Sequence, residues 1–462
     1  MQALENYAQS LGVGDLYGEA AHEAFDEADP LKDLRKEYHF PQIGEDQSAS
    51  QENPVAYMTG NSLGLQHIGV AGALQQEVEK WRTQAVEGHF LQPNPWFEID
   101  EVLRADMASV VGADRDEVVL MNTLTANLHL LLAAFYRPSG SRVKVIVEAN
   151  PFPSDMYAVR SHMTFRGVDP EAHMVFVDNL TTEGFLAALD QHGDSVALVL
   201  LGAVHFLTGT YFDCEKITAA CRTQGVTVGL DCAHAVGNVE LKLHDWGIDF
   251  ACWCTYKYLN GGPGNIAGAF VHSQHTTGDA TKDPQPLKGW WGHTRTSRFA
   301  LKTGFDGSPG AAAFQLSNPC VMSLVSLAPS LQMFGRIGMR SLREKSLKLT
   351  AYLECLLRKH LSHAVVMLTP PEPERRGCQI SIRVLAGKIR AEYKGQGDGQ
   401  SYQCGNDLKN DADALQFLLK SKGVVCDNRP PDILRIAAVP MYNTFKDVAR
   451  VVQGLRTFLV ER

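Results

Sequence analysis

The chain has 462 residues, of which 45% are hydrophobic and 21% are charged. These fractions are typical of globular proteins and exclude a disordered or fibrous chain. Acidic residues number 52 and basic residues 43, so the formal net charge is −9. The sequence therefore offers no large basic surface, which argues against nucleic acid or an anionic membrane as the main partner.

The amino-terminal segment and the pattern of cysteines bear on the cellular compartment of the protein. The first twenty residues carry acidic side chains and no apolar core, so we expect no secretory signal. The longest apolar stretches fall well short of the roughly 20 residues that a membrane helix needs. The ten cysteines form neither paired CxxC motifs nor a Cys–His zinc pattern. We therefore expect reduced thiols, no metal ion and a cytoplasmic protein.

Three regions follow one another along the chain. Residues 1–55 are acidic and helix-prone and resemble an N-terminal arm or part of the small domain. Residues 56–330 are predicted to form a large domain, because short apolar runs alternate there with amphipathic stretches. Residues 331–462 are predicted to form a smaller α+β domain, with a helix at 342–361 and an exposed polar loop at 386–407.

The large domain has the pattern of an α/β fold. Helical patterns at 127–136 and 182–193 lie between short apolar runs, so we predict a mostly parallel sheet sandwiched by helices. The segment 266–272 closely follows a Gly-rich turn and is predicted to be an antiparallel addition to this sheet. The predicted buried strands are 117–121, 143–149, 173–177, 196–201, 226–231 and 250–254.

Two strand ends carry the most informative pair of side chains. Asp231 ends one predicted strand, and Lys257 follows the next one 26 residues later. Because ligands bind outside the carboxyl ends of parallel strands, an acid and an amine should converge in one crevice. A pocket lysine can form a Schiff base with a carbonyl, and an Asp facing a pyridine nitrogen is the usual partner of pyridoxal phosphate. The alternative is a structural ion pair.

Further residues support a cofactor site, although each has an ordinary structural explanation. Thr125 is predicted as the N-cap of a helix whose amino end could bind phosphate. Phe152 follows the strand 143–149 and could stack on a heterocycle, with Asp155 nearby. Arg435 interrupts an apolar run and could hold a carboxylate, or lie on an exposed edge strand.

Two other motifs have more than one explanation. Gly262–Ala267 matches the dinucleotide fingerprint GxGxxA, but a strand-like segment follows it where a helix is required, so we reject a nicotinamide site. The pair Trp290 and Trp291 lies in a polar, Gly-rich loop. It could cover an aromatic ligand, lie at a subunit interface or anchor the core.

Several of these segments together resemble kynureninase, a pyridoxal-phosphate hydrolase of the aspartate-aminotransferase-like fold (fold type I). The likeness runs from about residue 55 to the end of the chain. The most specific block is DCAHAVGNVELKLHDWGIDFACWCTYKYLN, at 231–260. The other matching segments are GNSLGLQ (60–66), GHFLQPNPW (88–96), LMNTLTANLHLLL (120–132), FPSD (152–155), VHFLTGTYF (204–212), GWWGH (289–293), LSNP (316–319) and GVVCDNRPPDILRIAAVPMYNTFKDV (423–448).

The resemblance implies a role for each matching site residue. Lys257 resembles the Schiff-base lysine, Tyr256 a phosphate ligand that assists catalysis, and Asp231 the partner of the pyridine nitrogen. The residues expected to bind pyridoxal 5'-phosphate are Leu124, Thr125, Phe152, Pro153, Ser154, Asp155, Gly202, Asp231, His234, Tyr256, Lys257, Trp290 and Asn318. Those expected to bind substrate are His89, Asn318 and Arg435. Trp290 and Asn318 resemble residues that reach the site from the partner subunit of a homodimer.

The implied reaction is hydrolysis of L-kynurenine or its 3-hydroxy form to L-alanine and anthranilate or 3-hydroxyanthranilate. The resemblance also implies a place in tryptophan degradation and NAD biosynthesis. One departure from the family pattern is Gly202-Ala203, where kynureninases have Ser-Gly. The alternatives are a cysteine desulfurase, for which Cys404 would be the candidate reactive thiol, or an aminotransferase.

Overall fold

The computed structural model describes residues 2–43, 54–279, 281–300, 304–385 and 411–459. The chain divides into two compact units. Residues 1–68, 207–209 and 340–462 form the terminal unit, and residues 69–206 and 210–339 form the central unit. The predicted loop 386–407, with Cys404, lies outside the described residues.

In the described residues, helices and strands alternate along most of the chain. The strands are β1 Tyr38–His39, β2 Ala56–Tyr57, β3 Gln66–His67, β4 Val118–Met121, β5 Lys144–Glu148, β6 Met174–Val177, β7 Val196–Gly202, β8 Thr227–Asp231, β9 Phe250–Cys254, β10 Ala267–Val271, β11 Val365–Met367, β12 Gln379–Val384, β13 Val424–Val425, β14 Asp427–Arg429 and β15 Ile433–Ala437. The α-helices are α1 Gln2–Ser10, α2 Glu19–Glu27, α3 Gly69–Gln84, α4 Ile99–Val102, α5 Arg104–Val111, α6 Leu124–Phe135, α7 Pro153–Phe165, α8 Pro170–His173, α9 Thr182–His192, α10 Cys214–Thr223, α11 Val321–Ile337, α12 Met339–Leu361, α13 Asp411–Ser421 and α14 Phe445–Leu459.

The central unit is built on a seven-stranded sheet in the order β4-β10-β9-β8-β7-β5-β6. Its strands run parallel except β10, which pairs antiparallel with both β4 and β9. The six predicted strands and the antiparallel addition are confirmed. Strands such as β8 and β9 are almost wholly buried, as expected where helices cover both faces of a sheet.

The common direction of the parallel strands determines which of their connecting loops lie side by side. Strands β4, β5, β7, β8 and β9 all point the same way, so their carboxyl ends share one edge, which we call the carboxyl edge. The opposite edge, called the amino edge, receives the starts of these strands and the end of β10. The segment Gly262–Ala267 leads into β10, as predicted, and not into a helix.

The terminal unit contains the antiparallel sheet β11-β12-β15-β14 and a short parallel pair of β2 with β13. Its core includes side chains from both ends of the chain. The Phe25 ring of α2 packs against Tyr352 of α12 and Phe445 of α14, at centroid distances of 5.5 and 5.1 Å. Among the described residues, no helix combines the length and apolarity that crossing a bilayer requires.

Candidate active site

A pocket opens at the carboxyl edge of the central sheet. Its walls come from the ends of β5, β7 and β8, from the turn after β9, and from the starts of α6 and α7. The lining residues are Leu124, Thr125, Glu148, Phe152, Ser154, Asp155, Gly202, Val204, Phe206, Asp231, Ala233, His234, Tyr256 and Lys257.

Asp231 and Lys257 both line this pocket. Asp231 is the last residue of β8, and its Oδ1 accepts the Ala233 N–H at 2.7 Å. Strand β9 pairs directly with β8, so the turn that carries Lys257 begins beside Asp231. The Lys257 side chain is 9% exposed, and its Nζ lies 5.8 Å from the centre of the Phe152 ring. The structure thus places the amine and the carboxylate in one crevice.

Two further buried carboxyl groups surround Asp231. Burial raises the pKa of Glu148 to about 7, although the Gly202 N–H donates to its Oε1 at 3.0 Å. Burial, followed by the charge and hydrogen bond of Asp231, raises the pKa of Asp155 well above its usual range. Asp155 Oδ1 is buried without a hydrogen-bond partner among the described residues. The pocket therefore holds an excess of carboxyl groups that a cationic ring nitrogen would complement.

The amino ends of α6 and α7 meet at the pocket wall. The prediction that Thr125 is the N-cap was wrong, because Thr123 has the extended cap geometry and α6 begins at Leu124. Thr125 is thus the second helical residue, as Ser154 is in α7, and their hydroxyl oxygens lie 2.7 Å apart. Free N–H groups and hydroxyls at two helix starts form a suitable cradle for a phosphate.

The remaining lining side chains offer a stacking surface and proton-carrying groups. Phe152 is exposed, and its ring contacts Phe206 edge-on at 5.4 Å. His234 is buried, whereas Tyr256 is partly exposed. Burial is the main cause that raises the pKa of Tyr256, so its hydroxyl keeps its proton at neutral pH.

Five predicted site residues do not line this pocket. Pro153 begins α7 and faces solvent. His89 is half-buried, with its ring against Trp96 at 5.3 Å, while Trp290 and Asn318 are exposed. Arg435 belongs to β15 of the terminal unit.

Arg435 has charged neighbours within that unit. Its guanidinium is fully buried and contacts Asp427 Oδ1 at 3.1 Å and Oδ2 at 2.7 Å. Arg429 pairs with the same carboxylate at 2.7 Å, and Ser62 hydrogen-bonds to both Arg435 and Asp427. Two guanidinium groups share one carboxylate, so this cluster keeps one positive charge.

The sequence reasoning missed four lining residues: Glu148, Val204, Phe206 and Ala233. Glu148 had a usable signal, because it ends strand β5 just as Asp231 ends β8. Phe206 had none, since its role depends on the Phe152 ring more than 50 positions earlier. The Gly202 N–H binds Glu148, and a Cβ atom at the Gly202 position, where the resemblance implies serine, would lie 3.1 Å from Glu148 Oε1.

Comparison with known proteins identifies the family. Residues 65–391 match the aminotransferase class-V model, and residues 402–455 match the kynureninase C-terminal domain. A kynureninase from Monosiga brevicollis is 44% identical over 98% of both chains. This chain belongs to the kynureninase family. A second kynureninase, from Xanthomonas euvesicatoria pv. vesicatoria, is 42% identical over 96% of this chain and 99% of its own.

Solved structures place the kynureninase-family chain in its fold class. A cysteine desulfurase from Thermococcus onnurineus NA1 matches with a TM-score of 0.70 over 93% of this chain and 98% of its own. The cysteine desulfurase CsdA from Escherichia coli gives 0.68 over 92% and 97%. Both are 16% identical, so they show the fold alone. The predicted family and the fold-type-I architecture are confirmed.

Proposed function

We propose that this protein is a pyridoxal-phosphate-dependent kynureninase. It hydrolyses L-kynurenine, or its 3-hydroxy form, to L-alanine and anthranilate or 3-hydroxyanthranilate, as a step of tryptophan degradation that feeds NAD biosynthesis. The observation that carries this function is the pocket in which Lys257 and Asp231 lie together, in a chain 42–44% identical to kynureninases along its length. The expected enzyme class and cofactor agree with this family.

The pocket residues suit the parts of pyridoxal 5'-phosphate. The Lys257 amine would attach the cofactor aldehyde, and the Asp231 carboxylate would face the pyridine nitrogen. The starts of α6 and α7, with Leu124, Thr125, Pro153 and Ser154, would receive the phosphate. Phe152 and His234 would flank the ring, with Asp155 beside Asp231. When bound, this cofactor supplies an electron sink for a carbanion at the substrate α-carbon.

The chain itself supplies the proton transfers. The Lys257 amine would act as the base that takes the substrate α-proton. Tyr256 retains its hydroxyl proton at neutral pH and is our candidate donor for the proton relay. The raised pKa values of Glu148 and Asp155 favour the protonated form of both carboxyl groups.

Arg435 is our candidate for the substrate carboxylate. The cluster of the buried Arg435 and Asp427 with the partly exposed Arg429 keeps a net positive charge, and a guanidinium fork suits a carboxylate geometrically. Such a clamp orients the substrate and so contributes to rate as well as affinity. His89 and Asn318 are assigned to the substrate ring, on the strength of the family resemblance.

A homodimer is the proposed assembly. Phe90, Trp290 and Phe299 are exposed large side chains of the central unit. Phe97 joins them, with ring centroids 6.1 Å from Phe90 and 5.2 Å from Phe299, and Trp290 lies 5.6 Å from Phe299. Exposed aromatic clusters of this kind commonly mark interfaces.

Subunit mixing tests whether Asn318 completes the partner's site. Lys257→Ala and Asn318→Ala proteins would each be inactive or nearly so. If the site is shared, unfolding and refolding an equal mixture restores about one quarter of wild-type activity, because half the molecules are heterodimers with one intact site. Activity equal to the mean of the two parents would contradict the shared site.

A cytoplasmic location is proposed from the cysteines. The described residues include nine free thiols, eight of them buried. Reduced cysteines persist in the cytosol, where thiol reductants are abundant. Fractionation of cells that express the tagged protein would check this location.

Product analysis decides the activity and the substrate preference. Purified protein would be incubated with L-kynurenine and 3-hydroxy-L-kynurenine side by side, and the fluorescent anthranilates and alanine would be quantified. We expect both carbon–carbon cleavage and a visible cofactor absorption band, and we expect Lys257→Ala to lose both. A colourless wild-type protein that cannot be reconstituted with the cofactor would refute the proposal.

A cysteine desulfurase is the alternative, because the matched structures with this fold include desulfurases. Such an enzyme needs an accessible reactive thiol. Cys320 is exposed, and hydrogen bonding to Ser323 lowers its thiol pKa. We expect the Cys320→Ser and Cys404→Ser variants to keep full kynurenine cleavage, and sulfur release from cysteine that depends on either thiol would favour the alternative.

A further inference from the structure

Three potential metal ligands converge at the amino edge of the central sheet. Glu117 directly precedes β4, His244 lies in the connection from β8 to β9, and His272 directly follows β10. The antiparallel direction of β10 brings its end to the same edge as the start of β4. We call these three residues the amino-edge cluster. It lies at the opposite edge of the sheet from the pocket.

The donor atoms are close enough for one ion. His244 Nδ1 lies 2.9 Å from Glu117 Oε1, and His272 Nδ1 lies 3.7 Å from the same oxygen. One ligand atom from each residue lies within 4.8 Å of the others. Zinc–nitrogen and zinc–oxygen bonds of about 2.0–2.2 Å in a tetrahedral site separate donors by about 3.3–3.6 Å. The two spacings from Glu117 bracket that range, and the two histidine rings, which are stacked 4.9 Å apart at an angle of 13°, would have to rotate to direct both Nδ1 atoms at one ion.

Surrounding groups orient the ligands. Backbone N–H groups of Ser273 and Asp114 donate to the Glu117 carboxylate at 2.8 and 3.0 Å. His272 Nε2 contacts the His244 carbonyl at 3.2 Å, which assigns the proton to Nε2 and leaves Nδ1 as the acceptor atom. Metal-binding histidines typically donate their second ring N–H to such a carbonyl. His272 Nδ1 now accepts the Gln274 N–H at 3.1 Å, a contact that metal binding would replace.

The residues of the amino-edge cluster differ in their exposure to solvent. The Glu117 side chain is 2% exposed, whereas the His244 side chain is 39% exposed and provides access from solvent. Asp114 Oδ2 lies 3.9 Å from His244 Nδ1 and adds a second carboxylate at the rim. Two imidazoles and a carboxylate are the donors that zinc prefers, and they leave a fourth position for water.

We propose that the amino-edge cluster binds one divalent transition-metal ion, with Zn²⁺ as the best match to its donors. The ion replaces the His244 Nδ1 proton that now faces Glu117 and joins three segments distant in sequence. No metal ion was expected from the sequence, because the chain lacks paired-cysteine and Cys–His motifs, and this cluster contains no cysteine. The competing explanation is a hydrogen-bonded latch that needs no metal.

Zinc titration of the EDTA-washed holoenzyme tests the proposal. At ZnCl₂ concentrations that just saturate wild type, calorimetry should show one equivalent more for wild type than for His244→Asn. The reason is that this change should reduce the affinity at least tenfold, since even outer-sphere substitutions cost 10–100-fold. The matched control is His363→Asn, an exposed histidine of the terminal unit, which should bind as wild type does.

Two further readouts separate a metal site from a latch. Zn²⁺ at 100 times its Kd should raise the Tm of wild type, but not of His244→Asn, by about 3 °C. Co²⁺ should give a visible ligand-field spectrum that His272→Asn alters. If His272→Asn fails to fold, the spectrum of His244→Asn serves for the same comparison. Equal zinc stoichiometry in wild type and His244→Asn, or no binding at all, would overturn the proposal.

Discussion

Two buried glutamates at opposite edges of the same sheet have opposite chemistry. Glu117, at the amino edge, accepts two backbone N–H groups and the His244 ring. Glu148, at the carboxyl edge, accepts backbone N–H groups, among them that of Gly202, but faces the charge of Asp231. Burial favours the neutral form of both, yet the pKa of Glu117 lies below its usual value and that of Glu148 rises to about 7.

This contrast shows what distinguishes the two edges. Donors surround Glu117, so the carboxylate stabilises the fold as an ion. Acidic neighbours surround Glu148, so the carboxyl groups at the carboxyl edge lack a positive partner, and a bound cation would stabilise their charged forms. A pocket arranged in this way sacrifices stability for binding, as functional sites often do. Variants that exchange or neutralise acids at the two edges test the difference directly.

Asp231 gives the largest expected effect. Asp231→Asn removes the charge that would face the pyridine nitrogen, and we expect kcat to fall by about 10²–10³-fold, the cost of losing one such electrostatic partner. Steady-state kinetics of kynurenine cleavage would measure it. The matched control is Asp249→Asn, an acid just before β9 at the amino edge, for which kcat should change less than about twofold. A similar loss in both variants would mean that the two edges do not differ.

Tyr256 should give the next largest effect on catalysis. Tyr256→Phe removes the proposed relay proton but keeps the ring, and we expect kcat to fall by about 10²-fold with little change in KM. The pH profile of kcat should change at the same time. If KM rises and kcat stays constant, Tyr256 binds and does not transfer a proton.

The two glutamates should differ in their contribution to stability. Glu117→Gln leaves the His244 ring and a backbone donor poorly paired, so we expect it to lower the free energy of unfolding by about 2–3 kcal/mol. Glu148→Gln should cost less than about 1 kcal/mol at pH 6, because the carboxyl is largely protonated there already. Urea denaturation of the cofactor-free proteins would measure both. Equal costs would contradict the contrast between the edges.

The same two variants should respond oppositely to pH. The folded pKa of Glu148 is raised, so its contribution to stability is full below about pH 4.5 and is lost as the pH rises through about 7. The folded pKa of Glu117 is lowered, so its contribution is present above about pH 4.5 and is lost as the pH falls. Relative to wild type, the stability of Glu148→Gln should therefore rise between pH 5 and pH 8, whereas the stability cost of Glu117→Gln should shrink only below about pH 4.5. Urea denaturation on both sides of each range would measure the two responses.

Gly202 should give the smallest effect. The Gly202→Ser variant introduces the family's hydroxyl beside Glu148, where a Cβ atom lies 3.1 Å from Oε1 and needs only a small shift. We expect kcat/KM to change less than about fivefold, or about 1 kcal/mol. A much larger gain in activity would show that the missing hydroxyl limits this enzyme.

Local sequence pattern was sufficient for the strands of the central sheet. A strand that is covered on both faces of the sheet, such as Val196–Gly202, is apolar along nearly its whole length and can be recognised from sequence. Asp231 stands out because a charged residue ends such a run. The helix start at Leu124 was misplaced, because Thr123 and Thr125 are equally good caps in sequence and only the backbone geometry separates them. Glu148 carried the same signal as Asp231 and went unnoticed.

Tertiary structure decided every feature that joins distant segments. Glu117, His244 and His272 are separated by 127 and 28 positions, so no spacing rule relates them, and their meeting depends on the antiparallel direction of β10. The pKa values of the pocket acids likewise depend on which donors and charges surround each carboxyl after folding. Sequence specifies which residues are buried and where strands end, because these follow from local hydrophobic periodicity. The electrostatic partners of a buried group follow from topology, which brings together residues that no local pattern connects.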